Sequence, residues 1–485
     1  MARKNTSLKL NFIMNALLTM SQFIFPLITF PYVSRILLPE GTGKVSFATS
    51  VISYFAMFAQ LGIPTYGIRA CAKIRDDKEK LTRTVQELFI INFTMSLISY
   101  LALFGAIILV PRLRQDKILF LIVSLTILFN AIGMEWLYKA LEQYTYITIR
   151  SIIFKFIALI LMFLLIHQKN DYVIYGGISI LASSASNIFN FIHVHKYISL
   201  KPVGNYNFKR HLKAVAVFFA MSCATTVYTH LDTVMLGFMA TDTDVGYYNA
   251  AVKIKTILVS IVTSLSVVLL PRASYYVEHN EMEKFYKIAK KAINFVFLVA
   301  TPMMVYFIIF AREGIFFLSG SAYVGSIVPM QIIMPTLLLI GLTNIMGIQI
   351  LVPLGKEKIV LYSEIVGVIV DIILNTLLIP RYASAGAAIG TLAAETAVFI
   401  VQYSALKNEV KNMYENIHYG TFVFSLVIAS ILAMLIKQLS IEIFNKLCVS
   451  AVAFFGVYFG VLTIMKEPLI FDIENQVLKK FRNEK

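Results

Sequence analysis

Apolar runs of membrane length, separated by short polar stretches, recur along the whole chain. A run of about 18 or more apolar residues crosses a bilayer as a helix. On that rule fourteen spans are predicted, at 11–34, 45–63, 88–110, 118–138, 148–166, 173–195, 214–239, 246–270, 292–310, 328–354, 359–379, 385–405, 419–436 and 443–465. The period-two alternation of strands is missing, which argues against a barrel. Inside the first runs the polar residues keep a helical period. Asn11, Asn15, Thr19, Gln22, Pro26 and Thr29 share one face of the first span, and Ser46, Ser50, Ser53 and Gln60 one face of the second. Hydroxyl side chains also serve close helix packing, so one stripe alone has a structural reading too.

The pattern repeats after 203 residues. Gly43 meets Gly246, Ala48 meets Ala251 and Arg69 meets Arg272, while Thr29 falls on Asp232, Ser46 on Asn249, Ser50 on Lys253 and Ser53 on Thr256. A second displacement, 214 residues, aligns GMEWLYKALEQ (133–143) with GIQILVPLGKE (347–357). These offsets predict an all-α integral membrane protein of two pseudo-symmetric six-helix lobes, 1–200 and 201–410. A further helix pair and a cytoplasmic tail fill 411–485. Six helices per lobe preserve orientation, so the repeat axis lies along the membrane normal. The charge-rich segments after each Arg, 70–87 and 273–291, read as amphipathic helices along the inner interface.

Composition agrees with the pattern: 58% of residues are hydrophobic and 14% charged. The net charge of +16 raises the question of nucleic acid. With the amino terminus assigned to the cytoplasm, however, Lys and Arg favour the cytoplasmic loops roughly three to one. They are scattered over many short loops, which points to topology, with both termini cytoplasmic, and to no nucleic-acid partner. The basic start, Met1–Leu10, leads into a span longer than a signal-peptide core, so it is expected to stay as a helix. Cys71, Cys223 and Cys448 are too dispersed for a disulfide framework or a metal site. A Gly-rich phosphate loop is missing, which argues against nucleotide-driven chemistry.

Charges inside the runs are the candidate chemistry. One at the bilayer centre costs at least ~2.5 kcal/mol, so it asks for a partner or a function. Lys253 shares the polar stripe of Asn249 and Thr256, whereas Lys255 points about 200° away. Lys155 and Arg150 lie in the fifth span. Asp232 lies in the seventh, Glu364, Asp371 and Asn375 on one face of the eleventh, and Thr391 and Glu395 in the twelfth.

The stretch FPYVSRILLPEGTGKVSFATSVISYFAMFAQLGIPTYGIR (30–69) and VGYYNAAVKI (245–254) resemble the polysaccharide-transporter branch of the multidrug/oligosaccharidyl-lipid/polysaccharide exporter superfamily. Within it, the chain looks like the flippases for O-antigen or capsular repeat units. That resemblance implies two six-helix lobes around a central path lined by helices 1, 2, 7 and 8. It implies a secondary transporter of the bacterial cytoplasmic membrane, monomeric and without a cofactor, that moves an undecaprenyl-pyrophosphate-linked oligosaccharide between leaflets by alternating access. A polysaccharide polymerase and chain-length machinery would be its partners. On this reading Lys253, then Arg69 and Arg272, then Lys155 and Arg150 would meet the diphosphate. Asn249, Thr256, Gln22, Ser50 and Gln60 would line the glycan path. Superfamily relatives bind sodium between helices 7, 11 and 12, and the matching types here are Asp232, Asp371, Asn375 and Thr391, with the carboxylate and amide in reverse order. A proton on a buried carboxylate is the alternative coupling ion. The first two spans carry no arginine in their interiors, unlike the peptidoglycan-precursor branch. Competing readings are a drug or small-solute exporter of the same superfamily, which would have twelve helices. The other is a polytopic polymerase or glycosyltransferase, which would need a large external loop or an acidic catalytic pair.

Overall fold

Backbone N–H and C=O groups cannot be left to hydrocarbon, so membrane-length apolar runs close their hydrogen bonds internally as helices. The computed structural model describes residues 8–407, 419–468 and 470–471, and there the apolar runs are helical. Among the described residues ten helices are long and apolar enough to cross a membrane. The bent pair Ser321–Ile333 and Thr336–Leu351 makes eleven. The difference from the fourteen expected spans has a physical origin in helices that run on through breaks. Leu8–Gln60 holds two of the expected spans and is interrupted at Leu38 (φ 59°, ψ 177°). At ~1.5 Å per residue it would reach about 80 Å if straight, against a hydrocarbon core of about 30 Å. Glu357–Ala405 holds two more and is interrupted at Ala383 (φ 46°, ψ −122°). The span expected at 118–138 is a 17-residue helix, Lys117–Gly133, followed across the left-handed Met134 by the short helix Glu135–Ala140. The expected interfacial segment 273–291 is not a separate element. Its first part continues the helix Asp242–Glu278, and the rest begins Met282–Ile309.

The chain packs as two compact units, Met1–Gly246 and Tyr247–Lys485. This boundary follows packing, whereas the one at 200/201 follows the sequence repeat. In the first unit, one core joins Val33 and Leu37 to Ala158, Met162 and Ile178. Another surrounds Trp136 and Leu137 with Ile63, Val85 and Leu88. The segment after His195 is clamped onto the helix Lys78–Leu109. Gln86 donates to the carbonyls of Ser199 and Lys201 and accepts from the Val203 N–H and the Tyr206 hydroxyl. Glu87, fully buried, accepts from the Asn207 N–H (2.7 Å) and Arg210 Nε (3.0 Å) and pairs with His211 Nε2 (2.7 Å).

In the second unit the helices Tyr419–Lys437 and Ile443–Ile464 join Met282–Ile309 through polar tips on aromatic bodies. Tyr306 Oη donates to the Leu447 carbonyl (2.9 Å), and Tyr458 Oη to that of Leu298 (3.3 Å). Segment 408–418 and the expected tail at 472–485 lie outside the described residues. Large apolar side chains stand exposed along many helices, among them Leu101, Ile108, Val452 and Ile464. That is the surface a lipid-solvated helix presents, since tails and side chains are equally apolar.

Candidate functional site

The turn that joins the helices Lys209–Met239 and Asp242–Glu278 meets its repeat equivalent in the first unit. A Cβ at Gly43 would overlap the carbonyl oxygen of Asp242, and one at Gly246 would overlap that of Pro39. Shifted by 203 residues, Pro39 becomes Asp242 and Gly43 becomes Gly246. The contact is therefore reciprocal: each segment's glycine faces the other segment's first residue, as two-fold contacts require. Arg112 holds this crossing. Its Nε donates to the Gly237 carbonyl (2.9 Å), Nη2 pairs with Asp242, and its guanidinium lies 4.7 Å from the centroid of the Phe47 ring.

Several other polar groups of the first unit are buried. Asp232 is buried, and His230, two residues before it, makes a 3.2 Å contact from Nδ1 to the Ser50 hydroxyl. Arg150 and Lys155 on the helix Tyr144–Leu165 are each 7% exposed. Arg150 donates to the Ser186 carbonyl (3.0 Å) and pairs with Glu135 (3.3 Å). Lys155 Nζ donates to the Ser21 hydroxyl at 2.6 Å.

The second unit brings two of the predicted ion ligands into contact, with a third, Thr391, beside the glycine that packs on them. Asn375 Nδ2 donates to Asp371 Oδ1 at 3.1 Å, and both side chains are buried. A Cβ on Gly390 would overlap Asn375 Oδ1 and stand 3.0 Å from Asp371 Oδ1, so this cradle needs glycine. Next along the chain, Thr391 bonds with the Tyr248 hydroxyl (2.9 Å), and Glu395 is buried one turn further. The break at Ala383 lets one long helical run fold back so that Gly390 lies against Asp371 and Asn375. Carboxylate and amide oxygens are the donor types a hard monovalent cation takes, and a buried carboxylate is a group that can take a proton.

A model of the family described as "Polysaccharide biosynthesis protein" matches residues 8–277, more than half of the chain. The chain belongs to the polysaccharide biosynthesis protein family. This family comprises membrane transporters, not enzymes. A second model, MatE, matches residues 218–377. An Escherichia coli (strain K12) protein named as an O-antigen transporter is 26% identical over 404 residues, 83% of this chain and 97% of its own length. Two solved structures share the fold. A lipid II flippase, MurJ, in an inward closed conformation superposes with a TM-score of 0.72 at 17% identity, over 95% of this chain and 100% of its own. An inward-facing multidrug resistance MATE family transporter of the MOP superfamily gives 0.60 at 14% identity, over 82% and 99%.

Across this family member the other predicted residues are spread more widely. Gln22 and Arg69 are exposed in the first unit, Ser50 is buried and Gln60 half-buried. In the second unit Asn249 and Lys253 are half-buried, and Thr256 and Arg272 exposed. Thr256 bonds back to the Val252 carbonyl (2.8 Å), the local bond available to any helical threonine. Sequence reasoning missed Tyr248, Ser21, Arg112 and the roles of Glu135 and His230. Tyr248 stands beside Asn249 in the motif VGYYNAAVKI, so the motif carried a signal for it. Ser21 and Arg112 act through partners more than 120 residues away.

Proposed function

We propose that the chain is a flippase that moves a lipid-linked oligosaccharide repeat unit, carried on undecaprenyl pyrophosphate, from the inner to the outer leaflet of a bacterial cytoplasmic membrane by alternating access. Family membership and the names of the relatives support this reading. The observation that carries it is the Asp371–Asn375–Gly390–Thr391 cradle, buried inside membrane-length apolar helices. Hydrocarbon excludes such groups unless they are paired or functional. A hydrated glycan and a diphosphate need polar and cationic lining to cross. The lining assigned here is Gln22, Ser50, Gln60, Asn249 and Thr256, with Lys253, Arg69, Arg272, Lys155 and Arg150 as the cations.

The cradle of the second unit is the coupling site for sodium or a proton, and Asp232 of the first unit is a separate candidate carboxylate for the same ion. A bound cation would supply the charge that lets Asp371 stay ionised in an apolar surrounding. In this reading the helical runs make fourteen crossings. Leu8–Gln60 and Glu357–Ala405 each contribute two, and Lys117–Gly133 and the bent pair one each. The lobes are 1–200 and 201–410, both termini are cytoplasmic, and the protein works as a monomer beside a polymerase and chain-length machinery.

The test is flipping of a fluorescent lipid-linked oligosaccharide in proteoliposomes. An imposed sodium or proton gradient is expected to accelerate flipping by the native protein and to leave Asp371→Asn unaffected. Equal rates with and without either gradient would remove the coupling assignment.

A further inference from the structure

By the 203-residue repeat Lys209–Met239 is the first helix of the second lobe, so the joint between the lobes would be the segment before it, 197–208. Joints between moving bodies fall in exposed linkers that few contacts hold. This segment is tied down along its backbone. Gln86 and Glu87 bond its main chain at Ser199, Lys201, Val203 and Asn207. The helix that follows is fastened to the first unit at its start, middle and end. At the start Arg210 donates to the Thr84 hydroxyl (3.1 Å) as well as to Glu87, and His211 Nδ1 pairs with the Tyr66 hydroxyl (2.8 Å). In the middle a Cβ on Gly62 would overlap the main chain of Phe218 and Phe219, and the rings of Phe58 and Phe219 lie 5.5 Å apart. At the end Arg112 donates to the Gly237 carbonyl (2.9 Å), and a Cβ on Gly237 would overlap the Phe47 ring.

Two of these fastenings are glycine contacts, where helices approach so closely that one cannot slide along the other without collision. The main neighbours of the helix, Leu8–Gln60 and Ile63–Ala72, both lie in the first unit, and the boundary between the compact units falls after it, at Gly246. We infer that Lys209–Met239 moves as part of the first unit, and that segment 197–208 is a strap and not a hinge. The helix belongs to one lobe by sequence repeat and to the other by mechanics. When two bodies rotate against each other, contacts inside one body persist while those between bodies are remade. The contacts of Tyr66, Phe58 and Arg112 with this helix are therefore kept through the whole cycle. As a statement about transport, the inference rests on the flippase reading.

The test locks the helix to the first unit. The full chain, with Cys71, Cys223 and Cys448 replaced by alanine, carries Phe58→Cys with Phe219→Cys in one variant and Tyr66→Cys with His211→Cys in another. A short bis-methanethiosulfonate bridges each pair in proteoliposomes. Flipping of a fluorescent lipid-linked oligosaccharide is expected to stay within about twofold of that of the same protein after reduction, because the bridge joins parts of one body. A loss of about tenfold or more that reduction reverses overturns the inference, since the contacts would then be a seam that opens in each cycle. Spin labels give a readout that needs no transport. Leu97, on the helix Lys78–Leu109, Val217 and Leu361 are exposed apolar positions that tolerate a label. With and without the lipid-linked oligosaccharide, the Leu97–Val217 distance is expected to be single and constant. A Leu97–Val217 distance that shifts while Val217–Leu361 stays fixed overturns the inference. A protein that flips nothing even unbridged, yet keeps its Leu97–Val217 distance, refutes the flippase reading and leaves the inference standing.

Discussion

Gly390 lacks a side chain because Asn375 fills the space one would take. Gly390→Ala must push Asn375 away from Asp371, an overpacking change that costs about 1–3 kcal/mol. It is expected to lower the melting temperature in detergent and to abolish dependence of flipping on an ion gradient, whereas Gly105→Ala, in open space, should do neither. The sequence announces Asp371, Asn375 and Thr391, since polar residues in apolar runs are costly and conspicuous. It does not announce Tyr248, because an aromatic residue in a membrane helix is ordinary and only its hydroxyl partner sets it apart.

At the level of elements, helix breaks and long-range clamps decide the outcome. Leu38 precedes Pro39, and a residue before proline is pushed away from the helical region, so that break is legible. Ala383 lies in the gap expected between 359–379 and 385–405, which Pro380 and Arg381 mark, but with no glycine there the left-handed residue itself is not legible. For the same reason fourteen apolar runs were countable while their fusion into longer helical runs was not. The clamp at Glu87 makes a sharper prediction. Glu87→Ala leaves Arg210 and His211 without their carboxylate and should cost about 3 kcal/mol, the low end for breaking a buried pair, since Arg210 is partly exposed. The double variant Glu87→Leu with Arg210→Met should recover part of that loss, because removing both partners leaves fewer polar groups stranded. Thermal unfolding in detergent reads both. Asp77 caps the same helix by accepting from the Lys80 N–H. That backbone hydrogen bond holds its carboxyl below the usual range, so its contribution is present at neutral pH and fades as pH falls through the lowered value.

For the whole molecule, the proposed fourteen crossings would put the two termini on the same side of the bilayer. Epitope tags at both ends of the chain in sealed inside-out vesicles should be cleaved together by added protease, and neither in right-side-out vesicles. Cleavage of one tag alone would show an odd count. Fold class was legible at this scale from composition and period, and the reciprocal approach of Gly43 and Gly246 agrees with the 203-residue offset read from paired positions. What pairs with what was not, because it depends on residues separated by a hundred positions or more.

The reciprocal approach of Gly43 to Asp242 and of Gly246 to Pro39 has a consequence for genetics. A clash between two side chains can be relieved by shortening either one, so second-site suppressors are readily found. Here each glycine faces a carbonyl of the main chain, and every residue has the same carbonyl. A bulky substitution at Gly43 or Gly246 therefore has no compensating replacement across the contact, and a screen for revertants should return the original glycine codon or changes that move a whole helix.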